Sequence, residues 1–489
     1  VTANAFAIDF VPRPRAARVK RAVTSADLDD TQRAAASAPP GGATLVLGEA
    51  GHGKTTVAVH RVAHLLRANR DARAAFIVPN EGLARLVQSE LRRLGADVDA
   101  TTYDAWAATQ ARRAFRDLPR RESELTPPQI ASFKRDPALR AALAVLAARA
   151  PGVVDDDVDA RPVRSRAHAR RADLQHLFGD RALLERIAPG ARVVEDVLDR
   201  TRVQFSLTAE RAFSHVTDRA RLVAVDRRAL DEGTASANAG TVDVEDYAVM
   251  FELDRMRAAR LGVAPTAPRA FDVIAIDEAQ EFAPLELALI GRSLAPNATL
   301  VVAGDADQQI DPTTRFFGWD AAMRELGFAT YASLTLDVGY RCAPPVAALA
   351  RAILANAAVA ENAAFPDEAS LASAMARGAK QLLRHDPRAA IAVVCRSPLL
   401  ARRLADRMRD ETPTRLVFDG RFLARGPVQV TTVEETKGLE LDFVVVPDAS
   451  AADYPDTPAA RRALYVAVTR ARHQVVLAHT GASTPIVSE

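Results

Sequence analysis

The residues able to do chemistry in this 489-residue chain cluster first in Gly48-Glu49-Ala50-Gly51-His52-Gly53-Lys54-Thr55. Glycine, four residues, then Gly-Lys-Thr is the spacing of a phosphate cradle. Gly48, Gly51 and Gly53 free the backbone to turn tightly, and successive amides then converge on phosphate oxygens. The Lys54 ammonium would reach the β and γ phosphates of a nucleoside triphosphate. Thr55 would place its hydroxyl on the accompanying Mg2+, with Thr56 behind it at the start of a helix. Two acids supply hydrolytic chemistry, since the apolar run Phe271–Ile276 ends in Asp277-Glu278-Ala279-Gln280. Asp277 can hold the metal shell, and Glu278 can orient and deprotonate an attacking water. A third run, Thr299–Ala303, ends in Gly304-Asp305-Ala306-Asp307-Gln308, where Gln308 is placed to sense the terminal phosphate. The amide of Gln32 offers the donor and acceptor that the edge of adenine asks for. Tyr340 and Arg341 set an aromatic plane beside a guanidinium, suited to a base and a phosphate.

Such groups need strands that stop at one edge of a parallel sheet and helices that begin there. The chain alternates accordingly. Apolar Thr44–Leu47 precedes the glycine loop, Ala74–Val78 ends at Pro79-Asn80, and a basic helix from Glu81 to Leu94 leads to a short strand, Val98–Thr102, that delivers Tyr103 and Trp106. Residues 107–268 break the pattern; they are arginine-rich and helical in periodicity, and read as an inserted helical subdomain because the sheet resumes directly afterwards. A second α/β unit is expected from Leu334, with strands at Ala390–Cys395, Val428–Thr432, Phe443–Val446 and Gln474–Leu477 and no phosphate loop of its own. The expected layout is a basic arm at 1–23, in which Ala5–Val11 can form a short strand, one α/β domain from 24–106 and 269–333, helices at 107–268, and a second α/β domain at 334–489. Phe316, Phe317 and Trp319 either stack on bases or form a hydrophobic seam.

Hydrophobic residues at 48% with 26% charged describe a globular chain of several domains. No apolar run approaches the ~18 residues of a membrane span, and Val1–Phe10 lacks a signal-peptide pattern, so a cytoplasmic protein without a membrane partner is expected. Cys342 and Cys395 are the only cysteines, which excludes a disulfide framework, a structural zinc site and an iron–sulfur cluster and leaves them as packing residues. A net charge of +2 does not by itself imply nucleic acid, although arginines crowd near residues 13–21 and 161–171. Of 64 basic residues only five are lysines, and two of those, Lys54 and Lys437, sit in motifs where a compact ammonium is called for.

Taken in order, these stretches closely resemble the motif series of superfamily 1 helicases of the UvrD/Rep type, over roughly residues 28–478. Leu28–Gln32 resembles the adenine-recognition motif, Gly48–Thr55 the Walker A loop and Asp277–Gln280 Walker B. Gly304–Gln308 resembles the phosphate sensor, and Lys437-Gly438-Leu439-Glu440 and Tyr465–Arg470 the last two motifs. The resemblance implies two RecA-like P-loop NTPase domains, parallel sheets with helices on both faces, that hold ATP and Mg2+ between them and move along single-stranded DNA, usually 3′ to 5′. It implies that Gln32 and Tyr340 hold adenine and that Arg341 and Arg470 stabilise charge on the γ phosphate, Arg470 as an arginine finger. Gly438 and Glu440 would lie near the sugar or nucleic acid, and Asn80, Thr102, Tyr103, Trp106, Phe316 and Trp319 toward the strand.

Three departures stand out. Glu434 occupies the place of a usual histidine, and an acid there repels phosphate. Gln309-Ile310-Asp311 lacks the aromatic that usually follows the sensor glutamine. Only 89 residues separate Arg341 from Thr431, so this resembles a compact form with little or no inserted second-domain (2B) region. Compact helicases of antiphage defence have this size. Thr241–Asp246 somewhat resembles the motor of factors that recycle RNA polymerase, which implies an alternative: an ATP-dependent module acting on RNA polymerase or a separate nuclease.

Overall fold

A computed structural model describes residues 8, 10, 28–149, 163–187, 190–208, 214–218, 235–339, 342–355, 357, 362–423 and 425–487. The first sheet contains β1 (Gly42–Gly48), β2 (Ala74–Val78), β3 (Ala100–Thr102), β4 (Phe271–Ile276), β5 (Leu294–Gly304) and β6 (Ala332–Leu336), in the order β3-β2-β4-β5-β1-β6. The second contains β7 (Ala363–Phe365), β8 (Ile391–Cys395), β9 (Thr414–Leu416), β10 (Val428–Thr432), β11 (Leu441–Val446) and β12 (Ala471–Thr480), in the order β7-β12-β11-β8-β10-β9. Every strand pairing in both sheets is parallel.

Parallel strands are covered on both faces and so carry continuous apolar runs. Ile391–Cys395 and Leu441–Val446 are buried at every position. Each sheet accordingly has a core on either side. Leu45, Ile274, Ile276 and Leu300 face one core of the first sheet, and Val46, Val273, Ala275 and Val301 the other. In the second sheet Val444 and Val446 oppose Phe443 and Val445 in the same way. Cys395 lies in one of these cores, as a packing thiol should. The fold is α/β, two parallel-sheet domains with helices on both faces.

The domain limits differ from those expected in two places. β6 pairs with β1 through Thr44–Ala332 to Gly48–Leu336, so the first sheet runs past residue 334. An edge strand as short as β6 carries no periodic signal that assigns it to one neighbour or the other. Helix α4 (Tyr103–Ala114) runs unbroken across residue 107, because Thr102 caps it and nothing in the sequence stops it before Phe115. Among the described residues between β3 and β4 there is no strand, only helices and one isolated bridge, Glu122 to Val242. From Cys342 to Thr432 the described residues make helices and strands of the second sheet's own layers. Of the amino-terminal arm, Ile8 and Phe10 are described. Neither lies in a strand; Ile8 is buried in a core of the second sheet and Phe10 meets Phe443 edge-on at 5.6 Å. No helix among the described residues is long and apolar enough to cross a membrane.

Candidate nucleotide site between the sheets

Strand order brings the chemistry together. β4, β5 and β1 are neighbours, so the segments leaving their carboxyl ends emerge side by side: Asp277 after β4, Asp305 after β5, and the glycine loop after β1. Helix α2 (Lys54–Ala68) starts directly from the loop, with Gly53 in the left-handed region at φ 88°. The positive φ favours glycine at 53, and a Cβ there would lie 2.6 Å from Gln32 Nε2 and push that amide away from the loop. Gln32 lies on helix α1 (Asp30–Ser37), where it forms a capping box with Asp29 and donates to the His52 carbonyl at 3.2 Å. Arg61 on α2 is 1% exposed and donates to the carbonyls of Ala35, Ala38 and Pro39, holding the end of α1 against α2. Gln32 is thereby fixed beside the loop with its amide already engaged.

Lys54 Nζ donates to the carbonyls of Gly48 and Glu49 and lies 3.8 Å from Asp305. Thr55 Oγ1 donates to Asp277 Oδ2 at 2.5 Å. Burial first, and the adjacent Glu278 second, push the Asp277 carboxyl up to about 6. These residues fit a magnesium triphosphate: a hydroxyl and a carboxylate in contact form the all-oxygen donor set that a hard cation takes. Thr56 stands next to them, partly buried on α2.

From the acids a chain of hydrogen bonds crosses to the second domain. Glu278 has φ 54°, a conformation uncommon for a side chain other than glycine, and its Oε2 accepts from Gln280 Nε2 at 2.7 Å. Gln280 Oε1 accepts from the Asp305 amide at 3.1 Å, Asp305 accepts from Gln308 Nε2 at 2.8 Å, and Gln308 Oε1 accepts from Arg470 at 2.7 Å. Arg470 ends the helix Pro458–Thr469 and is fully buried. The same helix supplies Tyr465, whose hydroxyl accepts from the Ala50 amide at 3.3 Å, and Arg462, which donates to the Gln309 carbonyl. Tyr340 and Arg341 lie outside the described residues.

The seam continues below the site. Lys437 pairs with Glu281 at 3.0 Å, and Glu281 also accepts the amides of Ile310 and Asp311. Gly438 has φ 73°, and a Cβ there would lie 2.6 Å from the Leu83 side chain. Asn80 caps helix α3 (Glu81–Arg93) through Leu83 and donates to the Lys437 carbonyl at 3.4 Å. Glu440 lies 3.8 Å from Arg472.

The residues expected toward a strand divide. Thr102 accepts from the Ala105 amide as the cap of α4. Tyr103 and Trp106 are 2% and 4% exposed and pack in the core of the first sheet, Tyr103 against Phe282, so neither ring faces outward as expected. They lie on the inner side of α4, an orientation that aromatic character alone does not reveal. Phe316 and Trp319 meet edge-on at 4.7 Å as a seam, with the indole against Gly304, while Phe317 is 46% exposed beneath Arg315. Glu434 pairs with Arg396 at 3.0 Å, which offsets the repulsion expected from its charge.

Asp305 and Tyr465 fall inside motif stretches but were given no role there, and Glu281 and Arg462 were missed; the scarcity of lysine pointed near Glu281, through Lys437.

Paired parallel sheets, a glycine cradle and acids at strand ends define a P-loop nucleoside triphosphatase. Residues 31–313, more than half of the chain, match the family described as an AAA domain, and residues 427–478 match the UvrD-like helicase C-terminal domain. The chain belongs to the superfamily 1 helicases of the UvrD/Rep type. Among solved structures it is similar to the C-terminal domain of a possible DNA helicase from Lactobacillus plantarum WCFS1, at 22% identity over 30% of this chain and 92% of that one, with a TM-score of 0.26. No curated protein matches.

Proposed function

We propose that this chain hydrolyses ATP between its two sheets and uses the cycle to move 3′ to 5′ along single-stranded DNA. The observation that carries the reading is the hydrogen-bonded series from Glu278 to Arg470, because it joins the groups suited to hydrolysis in one domain to a buried guanidinium of the other. Glu278 takes a proton from the attacking water, and Gln280 holds its carboxylate in place. Lys54 and the loop amides bind the phosphates, with Arg470 and Arg341 set against charge on the γ phosphate. Thr55 and Asp277 would hold Mg2+, which supplies neutralisation of phosphate charge when bound. Gln32 and Tyr340 flank the base, with Gly438 and Glu440 near the sugar. Loss of the γ phosphate frees Gln308 and Arg470 to separate, and the seam at Asn80, Lys437 and Gly438 then opens. Asn80, Thr102, Phe316 and Trp319 border the strand path, with Phe317 as its exposed ring and Tyr103 and Trp106 as support from within. In this motor a helical segment is inserted in the first domain, and the second domain starts after β6.

ATP turnover with and without single-stranded DNA tests this. Stimulation by about tenfold or more is expected, with loss of about a hundredfold in Lys54→Ala or Glu278→Gln. Equal turnover in the presence and absence of DNA overturns the coupling. Displacement of a block from each end of the strand reads polarity. Because Glu434 stands in place of a usual histidine and engages Arg396 rather than leaving it to a phosphate, it favours a second reading, an ATP-dependent module that remodels RNA polymerase or a partner nuclease and binds nucleic acid weakly. DNA-independent turnover with a stoichiometric protein partner selects it.

A further inference from the structure

The loop from Asp305 to Thr314 is gripped from three sides. Arg470 and Arg462 hold it from the second domain at Gln308 and Gln309. Glu281 holds the Ile310 and Asp311 amides from within the first domain. The third grip comes from the helical segment, where Arg135 closes helix α5 (Pro128–Arg135). Its Nε donates to Glu286 at 2.9 Å, and its Nη1 donates to Asp311 at 2.8 Å and to Thr313 at 2.5 Å.

Arg135 does not stand alone. Lys134, its neighbour, is 1% exposed and is bonded to Asp243 at 2.8 Å and Asp246 at 2.7 Å, inside the helical segment. Consecutive residues of α5 thus anchor it in opposite directions, one into the helices and one into the loop. Burial alone would lower the pKa of the Arg135 guanidinium, yet Glu286, Asp311, Glu245 and Asp104 hold it above its ordinary value. The Arg135 fork, rather than its charge alone, spans the two elements, because one planar group bonds an acid on the helix Pro284–Arg292 and two side chains of the loop.

We propose that Arg135 is a positioning residue that couples the helical segment to the loop carrying Gln308, so that a displacement of those helices by nucleic acid is passed to the hydrolytic site. Asp311 is three residues from Gln308, and the Glu281 carboxylate accepts the amides of Ile310 and Asp311. A shift at Arg135 therefore acts both on the loop that leads back to Gln308 and, through those amides, on Glu281 in the turn that follows Glu278. This rests on the reading that hydrolysis is nucleic-acid-stimulated.

Arg135→Lys separates geometry from charge, since an ammonium keeps the positive charge but cannot bridge both elements. In this variant the unstimulated turnover and the KM for ATP are expected to stay within about twofold, while stimulation by single-stranded DNA falls about tenfold. Arg135→Ala should lose the same stimulation and some thermal stability. A stimulation ratio equal to wild type in Arg135→Lys overturns the proposal. A second measurement needs no nucleic acid: amide hydrogen exchange at Ile310 and Asp311 is expected to quicken about tenfold in Arg135→Lys. Unchanged exchange there overturns the proposal even if the wild-type enzyme shows no DNA stimulation, whereas quickened exchange without stimulation faults the functional reading instead.

Discussion

At the scale of single residues, Asp448 shows what burial does to a charge. It follows β11, is 3% exposed, and accepts the Arg396 amide at 2.6 Å through Oδ2. Its Oδ1 and the Tyr454 hydroxyl are buried without a hydrogen-bond partner. Burial first, with Asp453 adding to it against the Arg396 amide, pushes this carboxyl up to about 7. A raised carboxyl pKa means that the folded state binds the proton more tightly than the unfolded state. Stability is therefore lost as pH rises from the unfolded value near 4 to about 7 and is constant above it. Asp448→Asn removes that loss while keeping an acceptor for Arg396. Its melting temperature should draw level with wild type near pH 4 and exceed it above pH 7, by an amount worth about 1–2 kcal/mol after allowance for local relaxation. Melting curves across that range check the sign; a gap that widens toward low pH would refute it. Nothing in the run Pro447-Asp448-Ala449 marks this acid as buried. Its environment comes from Arg396 and Tyr454, which only the fold sets beside it.

At the scale of elements, the sequence was most readable where a strand ends in chemistry. Asp277 and Gln308 follow apolar runs long enough to be buried strands, and the alternation of strand and helix assigns their ends to one edge. β6 was not readable in that way, nor was the inward side of α4, because pairing with β1 and packing on Phe282 are decided far along the chain. The seam between α3 and the Lys437 loop is a further case. Gly438 reads as part of a motif, but its need for a positive φ and its approach to Leu83 appear only when the domains meet. Gly438→Ala should cost about 1–2 kcal/mol through backbone strain and the clash with Leu83. Combining it with Leu83→Ala relieves the clash and leaves the strain, so the two changes should be non-additive in a thermal or denaturant double-mutant cycle. Strict additivity would mean that α3 and the Lys437 loop do not touch in solution.

At the scale of the whole molecule, the helical segment shares an apolar core with the first sheet, Leu143 and Phe251 lying with Ile274 and Leu300, and polar or charged pairs add joints at the site: Arg470 with Gln308, Lys437 with Glu281, Arg135 with Asp311. Two α/β units and a helical segment between β3 and β4 were visible from the periodicity alone. Their joints were not, since an ion pair between residues more than a hundred positions apart leaves no local pattern. The near-absence of lysine now acquires a practical meaning. Lys54, Lys134 and Lys437 are 6%, 1% and 9% exposed, while Lys380 is open to solvent and Lys20 lies outside the described residues. Among the described residues only Lys380 offers amine-reactive reagents an open lysine, so acylation of the other three becomes a clock for internal events. Lys380 should acylate first and Lys437 only as the seam opens. Lys54 should be protected by ATP, and Lys134, whose two aspartates keep it protonated against the effect of burial, should react only on unfolding. Peptide mass mapping over time checks this order, and four amines labelled at one rate would contradict it.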